Sequence, residues 1–294
     1  MDTLSLLSQS LRGAIVAPPG KLLFVADYAS IEARVLLWCA QDHEGLQKFR
    51  DGVDLYVDMA SAIYKQPVSK EKDPEKRQLG KIAILGLGYQ MGAPKFHATC
   101  ANQGIHITEE LAQQTVDAYR AKYFRVKQLW YDQETAAGEA TYDKEGTEYE
   151  CYPCMWVKEG RFLYCRLPSG RRLAYPDPAI KTITTSWGAR KNALTYMGVN
   201  ATTRKWHRQN SYGGLLVENI VQAISRDIMG EAMLRCEESR IYSPILSVHD
   251  ELIAEGNAHH GNVEEFVALV GQCPTWAPGC PVAAEGWAGT RYRK

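Results

Sequence analysis

No run of apolar residues in the 294-residue chain approaches the roughly 18 that a membrane-spanning helix needs. The opening MDTLSLLSQSLRG has an acid at position 2 and no apolar core of a secretory signal. The expectation is a cytoplasmic chain with no membrane partner. Nor is there an excess of charge of either sign: 34 Lys and Arg balance 34 Asp and Glu, so any basic surface must be local. Cysteine is too sparse for a disulfide scaffold, with eight in the chain. Cys151 and Cys154 form one close pair with Cys165 following, and Cys273 and Cys280 stand apart, but no second close pair completes a four-ligand set, which argues against zinc. Repeats and low-complexity tracts are missing as well, which excludes a solenoid.

What is there is an ordinary globular composition, 45% hydrophobic and 23% charged, long enough for two lobes with a core each. The element order is mixed. Leu22 to Ala26 is an apolar run between Pro18-Pro19-Gly20 and Asp27, which fits a buried strand ending in an acid. Helix is expected over 30–38 and 54–63. Asp73-Pro74-Glu75 then offers an N-cap, a first-turn proline and an acid, opening a helix from Glu75 to Tyr89. Residues 109–137 read as helical, 161–176 as two strands around Pro168-Ser169-Gly170, and Val217 to Glu238 as a long helix. Ile245 to Ala254 reads as a hairpin whose tight turn carries acids, and the last residues as a polar, aromatic-rich tail. The charged stretch Ser69 to Arg77 and the basic cluster Arg204-Lys205-Trp206-His207-Arg208 look like boundaries or surfaces.

Two acids end apolar strands. Asp27 and Asp250 each sit where a buried strand meets a turn, a place that aims a carboxylate rigidly. Such oxygen ligands suit Mg²⁺, which takes one or two carboxylates and completes its shell with water and substrate phosphates. Taken singly, Asp27 reads equally as a helix cap and Asp250 as a turn residue. On the helix from Glu75, Arg77, Lys81 and Leu85 recur at steps of four and fan across about 80° of one face. Arg forks onto phosphate oxygens and Lys adds a point charge, a pair suited to a triphosphate and equally at home on a solvated face. Gly86, Gly88 and Gly92 follow, each costing a helix about 1 kcal/mol, and are tolerated where something must approach closely; a nucleotide base is one candidate.

These residues carry a resemblance. Asp27-Tyr28-Ala29-Ser30-Ile31-Glu32-Ala33-Arg34 resembles motif A of family A DNA polymerases, the family of bacterial DNA polymerase I and many phage replicases. Arg77-x-x-x-Lys81-x-x-x-Leu85-Gly86-x-x-Tyr89 is similar to motif B, and Val248-His249-Asp250-Glu251 to motif C, in the family's order. Leu167 to Pro176 and Val217 to Asp227 look phage-like. The resemblance covers about residues 12 to 294 and implies an α+β fold: a right-hand palm of antiparallel sheet and helices, with mainly helical fingers. It implies palm over about 1–50 and 204–294, and fingers over about 51–203.

The resemblance further implies that Asp27 and Asp250 hold two Mg²⁺ ions, with the carbonyl of Tyr28 as a further ligand and Glu251 beside the metals. Arg77 and Lys81 would grip the incoming dNTP, with Lys81 also a proton donor to pyrophosphate. Tyr89 would lie near the template base. Glu32 would pack under the sugar and exclude a 2′-hydroxyl. Gln222 would read the minor groove of primer-template DNA, where acceptor atoms common to all pairs report shape. Arg34 and His249 would lie beside the primer terminus. Without the motifs, Glu32 and Arg34 read as a solvated pair, Gln222 as an ordinary polar helix position and Tyr89 as core.

Departures are visible. Leu85 stands where the family usually has Phe or Tyr, and Tyr56 where bacterial enzymes have a His that touches the triphosphate. The segment Gly138 to Cys165 maps to no pattern. Motif A begins at residue 27, so the thumb, part of the palm sheet and an exonuclease domain are expected to be missing, while Thr290-Arg291-Tyr292-Arg293-Lys294 resembles a phage polymerase carboxyl terminus. An unpaired sheet edge at the motif A strand, covered by a second chain carrying the thumb, is the resulting expectation. A catalytic part of a split or truncated DNA polymerase is one reading. A non-catalytic module that binds nucleotide and primer-template DNA is the other.

Overall fold

The computed structural model describes residues 11–184, 188–200 and 202–293. Asp2 with the rest of residues 1–10, and Lys294, lie outside the described residues. In chain order the elements are β1 (Lys21–Tyr28), α1 (Ile31–Cys39), α2 (His43–Arg50), α3 (Leu55–Tyr64), α4 (Pro74–Leu87), α5 (Ala93–Asn102), α6 (Glu109–Lys122) and α7 (Phe124–Tyr142). Seven strands follow: β2 (Glu148–Cys151), β3 (Cys154–Glu159), β4 (Phe162–Arg166), β5 (Arg172–Pro176), β6 (Ala179–Thr184), β7 (Arg190–Val199) and β8 (Trp206–Asn210). The chain closes with α8 (Gly213–Ser239), β9 (Tyr242–Val248), β10 (Glu251–Asn257), α9 (Val263–Gly271) and β11 (Ala284–Gly289). No helix among the described residues is long and apolar enough to cross a membrane. Two compact units result: Met1–Ile31 with Ser225–Lys294, and Glu32–Ile224.

The first unit is built on an antiparallel sheet in the order β11-β1-β10-β9. Its central strand β1 reads as a continuous apolar run because both faces are covered. Phe24 packs edge-on against Tyr242 at 5.0 Å and near Phe266 of α9 at 5.9 Å. On the opposite face Leu23 and Val25 join Ile253 and Tyr292, with Trp287 packed alongside. Two expectations are corrected here. The closing residues are no tail: 284–289 form β11, the second neighbour of β1, and Tyr292 is buried. Alternation in Ala284-Glu285-Gly286-Trp287 is masked by small residues, which hid the strand. The motif A strand is consequently paired on both sides, and the open edges among the described residues are β9 and β11. Backbone bonds Ala17 N to Thr290 O (2.9 Å) and Tyr292 N to Ile15 O (3.0 Å) fasten the two ends of this unit together.

The second unit is helical in its first part. Asp54 caps α3, accepting from the N–H groups of Tyr56 (3.0 Å) and Val57 (3.2 Å). Asp73 stands at the N-cap of α4, but its carboxylate takes the N–H of Ser69 and the ammonium of Lys76 in place of the helix N–H groups. The expected single helix over 109–137 is broken at Tyr123, whose ψ of 50° leaves the helical region, giving α6 and α7. Gly80 of α4 and Gly88 at its C-cap have protein neighbours: a Cβ on Gly80 would stand 2.1 Å from the carbonyl of Tyr56, and one on Gly88 2.5 Å from Leu36. The close approach at Gly88 is thus core packing and needs no nucleotide base.

The unmapped segment 138–165 holds the end of α7 and the strands β2, β3 and β4 of a second sheet, ordered β2-β3-β4-β5. The buried amide of Gln133 joins it to α7, accepting from Trp156 Nε1 at 2.7 Å and donating to the carbonyls of Cys151 and Tyr152. A third sheet, β6-β7-β8, follows.

Candidate active site

Asp27 is the penultimate residue of β1, and its register partners are Glu251 on β10 and Glu285 on β11. It lies in a strand, not at a helix start, so the cap reading falls. Across the β9–β10 hairpin Val248 pairs with Glu251, leaving His249 and Asp250 as a two-residue turn. His249 carries a φ of 55°, and Ser30, just beyond β1, one of 53°. Non-glycine residues in this left-handed region cost about 1–3 kcal/mol each and cluster at functional sites. The N–H of Tyr28 donates to the carbonyl of Asp250 at 3.0 Å, tying the end of β1 to the turn. The phenol of Tyr28 points away, donating to the carbonyl of Val270 at 3.0 Å, so its backbone alone serves this end of the strand.

Asp27, Glu251, Glu285, Trp287 and Arg293 line an open cleft of about 510 Å³. Asp27 and Asp250 are half-buried and His249 is exposed. Glu251 is different: it is 3% exposed, its Oε2 accepts from the Tyr292 hydroxyl at 2.5 Å, and Arg12 lies 3.6 Å away. Burial, and then the bond to Glu251, push the Tyr292 phenol up to about 12. Arg12 also stacks over the Tyr292 ring, 5.3 Å from its centre. Among the described residues no three His, Cys, Asp or Glu side chains gather closely enough to cage a metal ion. Two aspartates, a backbone carbonyl and an open cleft nevertheless fit Mg²⁺, which keeps water and takes the rest of its shell from phosphate.

The other candidate residues lie in the second unit. Arg77 Nε donates to Asp54 Oδ2 at 2.7 Å, and its guanidinium sits 5.2 Å from the centre of the Tyr56 ring. Burial works to raise the Asp54 carboxyl, but the bond from Arg77, with the cap N–H groups, holds it below its ordinary value. One turn on, Lys81 is half-buried and has no ion-pair partner among the described residues; Leu85 is 48% exposed although apolar. Tyr89 donates to Glu32 Oε2 at 3.2 Å, and burial followed by the charge of Glu32 pushes its phenol well above its ordinary value. The stretch after α4 is anchored by Trp130 Nε1 on the Gly88 carbonyl (2.7 Å) and by the Gln90 side chain, which accepts from Gly214 N (2.9 Å). Arg34 stacks over Phe49 at 4.2 Å, and Gln222 is exposed on α8.

The structure therefore gathers Asp27, Tyr28, His249, Asp250 and Glu251 in one unit, and Glu32, Arg34, Tyr56, Arg77, Lys81, Leu85, Tyr89 and Gln222 in the other. Sequence reasoning missed Asp54, Glu285, Arg12 and Tyr292. The first had a legible signal, an Asp directly before a helical run; the others lie in segments that show no periodicity.

Comparison with known proteins completes the description. The family model for DNA polymerase family A matches residues 5–153. A DNA polymerase of Bacillus phage SP02 is 34% identical over 290 residues, covering 98% of this chain and 44% of the relative. A DNA polymerase of Mycobacterium phage D29 is 28% identical over 263 residues, covering 89% of this chain and 33% of the relative. Among solved structures, the POL domain of Pol1 from M. smegmatis, in complex with DNA primer-template and dNTP, superposes with a TM-score of 0.63 at 21% identity. That match covers 97% of this chain and 42% of the other, and it carries the α+β fold expected from the resemblance. The chain spans less than half the length of these relatives.

Proposed function

Because the chain belongs to DNA polymerase family A, we propose that it carries the catalytic part of a template-directed DNA polymerase, joining deoxynucleotides to a primer 3′-hydroxyl. The observation that supports this most is the bond between Tyr28 N–H and the Asp250 carbonyl, which keeps two partly exposed aspartates at neighbouring strand ends. Asp27 and Asp250, with the Tyr28 carbonyl, would hold two Mg²⁺ ions, which when bound stabilise charge on the attacking and leaving oxygens of an in-line displacement. Glu251, held by Tyr292 and Arg12, steadies the turn that presents Asp250.

Arg77 and Lys81 bind the triphosphate, with Lys81 placed to pass a proton to the leaving pyrophosphate. Asp54 keeps the Arg77 fork in one orientation, and the Tyr56 ring supports its planar face. Glu32, oriented by Tyr89, screens the sugar, and Leu85 offers it an aliphatic contact. Arg34, His249 and Gln222 contact primer-template DNA. In this reading the palm is formed by about 1–50 and 204–294, and the fingers by about 51–203.

A second chain bearing a thumb is part of the proposal. The outer edge of β9 has no strand partner among the described residues, and Ile245 and Leu246 are exposed along it. Such an edge is a template for strand addition. The test is primer extension by the chain alone and with the product of any neighbouring polymerase-like gene, wild type against Asp27→Asn. Metal-dependent extension that Asp27→Asn removes is expected. DNA binding with no extension in either setting would overturn the catalytic reading in favour of a binding module.

A further inference from the structure

Residues 178–217 contain no Asp or Glu and six Lys or Arg, in a chain of zero net charge whose average would place about five acids there. This stretch lies outside the residues that the family model matches and outside all three motifs. It forms the sheet β6-β7-β8. Register puts Lys181, Lys191, Val199, Trp206 and Arg208 on one face, since Lys181 pairs with Ala193, Val199 with Trp206 and Met197 with Arg208. Lys181, Lys191, Val199 and Trp206 are exposed, Val199 at 53% and Trp206 at 57%. From Lys191 to Val199 the strand runs about 26 Å at the usual rise of an antiparallel strand; Ala193 and Thr195 between them are buried, so the exposed groups stand towards the two ends of this face.

The turn at the Trp206 end is built, not slack. Asn200 accepts from the N–H groups of Thr202 (3.0 Å) and Thr203 (2.7 Å), and its own N–H donates to the carbonyl of Lys205 at 2.9 Å. Arg204 stands at a φ of 56° and donates its N–H to the Asn200 carbonyl at 2.9 Å. The result presents Arg204 and Lys205 beside the exposed indole. Of the cations, Lys191 pairs with Glu134 at 3.4 Å and Arg208 is held by the Asp177 carbonyl and Thr195. Lys181, Arg204 and Lys205 have no ion-pair partner among the described residues.

We infer that this face of the β6-β7-β8 sheet and its β7–β8 turn bind single-stranded nucleic acid, here the unpaired template strand. Lys181, Arg204 and Lys205 neutralise phosphates, and Trp206 offers a stacking platform for a base. Unpaired cations beside an exposed aromatic ring are the combination that single strands require: charge to follow the backbone and a ring that accepts any base face. Duplex would use the charges and leave the indole without a role. The ligand's identity as template rests on the DNA-synthesis reading; the surface itself does not.

The experiment is anisotropy of labelled primer-template carrying a 5′ template overhang, against the same duplex blunt, over a range of salt and without nucleotide. Combining Lys181→Gln, Arg204→Gln and Lys205→Gln should weaken overhang binding about tenfold at moderate salt. The log–log salt slope should fall by about 2, at roughly 0.7 per single-strand phosphate neutralised. Blunt duplex and Arg190→Gln, on the opposite face by register, should stay within about twofold of their references. Trp206→Ala should weaken overhang binding and Trp206→Phe restore most of it. An unchanged slope, or equal losses on blunt and overhang DNA, overturns the inference. Photocrosslinking of a halogenated overhang to the wild-type chain guards against misfolded variants: adducts within 181–208 are expected, and their absence overturns it. Primer extension run in parallel separates the two claims, because a chain that fails to extend yet shows this slope loses the catalytic reading and keeps the surface.

Discussion

Tyr28 gives its N–H to the carbonyl of Asp250 at 3.0 Å while its side chain is tied down 242 positions away, on Val270. One residue therefore fixes both the end of β1 and the turn after β9, and with them the backbone from which Asp27 and Asp250 project. Asp27→Asn or Asp250→Asn should lower extension by about a thousandfold or more, since several kcal/mol of charge stabilisation would be lost. DNA affinity should stay within about twofold, because phosphate contacts dominate it. Extension assays with anisotropy on the same variants check both.

Tyr292→Phe should cost about 1–3 kcal/mol of stability, since Glu251 is buried and would lose a hydrogen-bond donor. Arg12→Gln should cost less, its side chain being 31% exposed and 3.6 Å away. Urea unfolding measures both, and a Tyr292→Phe effect below about 0.5 kcal/mol would show that the bond contributes little in solution.

The pair of Asp54 and Arg77 sets a pH dependence. A carboxyl whose folded value is held down stabilises the fold above its ordinary value of 3.8 and loses that contribution as pH falls through the lower folded value. Arg77→Gln should remove much of this acid-side loss, and Asp54→Asn all of that residue's share. Urea midpoints between about pH 5 and pH 2.5 should thus fall less steeply in both variants than in wild type; parallel curves would contradict the assignment.

Glu32 and Tyr89 are coupled by one hydrogen bond of 3.2 Å. Glu32→Ala should raise ribonucleotide use relative to deoxyribonucleotide by about tenfold or more in the ratio of specificity constants. Tyr89→Phe keeps the carboxylate but removes this donor and should move the ratio in the same direction by less. Leu85→Tyr should improve dideoxynucleotide incorporation, as the resemblance implies for a phenol at that position. Unchanged ratios would make Glu32 an ordinary acid of α1.

Two glycines of α4 should respond with opposite sign. Gly80→Ala sets a methyl 2.1 Å from the Tyr56 carbonyl, a backbone atom of α3, and should destabilise by about 1–3 kcal/mol. Gly86→Ala meets only the end of Met91 at 3.5 Å and should stabilise by up to about 1 kcal/mol through helix propensity. Thermal unfolding of the two variants reads the sign directly.

Much of this was legible in the chain. The apolar run ending at Asp27, the Asp-Pro-Glu opening of α4 and the hairpin around His249 and Asp250 carry strong local signals, and the elements appear within a few residues of where those signals place them. What was hidden depends on distant partners. β11 has small residues at alternate positions and becomes a strand because β1 offers it an unpaired edge. The β2–β4 region has short strands organised around Gln133, a polar residue whose burial only tertiary structure explains. Glycine at position 80 makes sense once α3 is seen to pass over it.

The pairing of β1 with β11 also bears on how the chain is made. Residues 21–28 leave the ribosome long before residues 284–289, which form one of their two neighbours in the sheet. The strand bearing Asp27 must wait, its apolar faces uncovered, until residues 284–289 emerge, while Glu32–Ile224 has all of its internal partners sooner. Long-range pairing of this kind forms slowly and exposes sticky surface meanwhile. Translation that stalls before residue 284 would yield a chain with an assembled middle and an unfinished sheet, a substrate for chaperones and proteases.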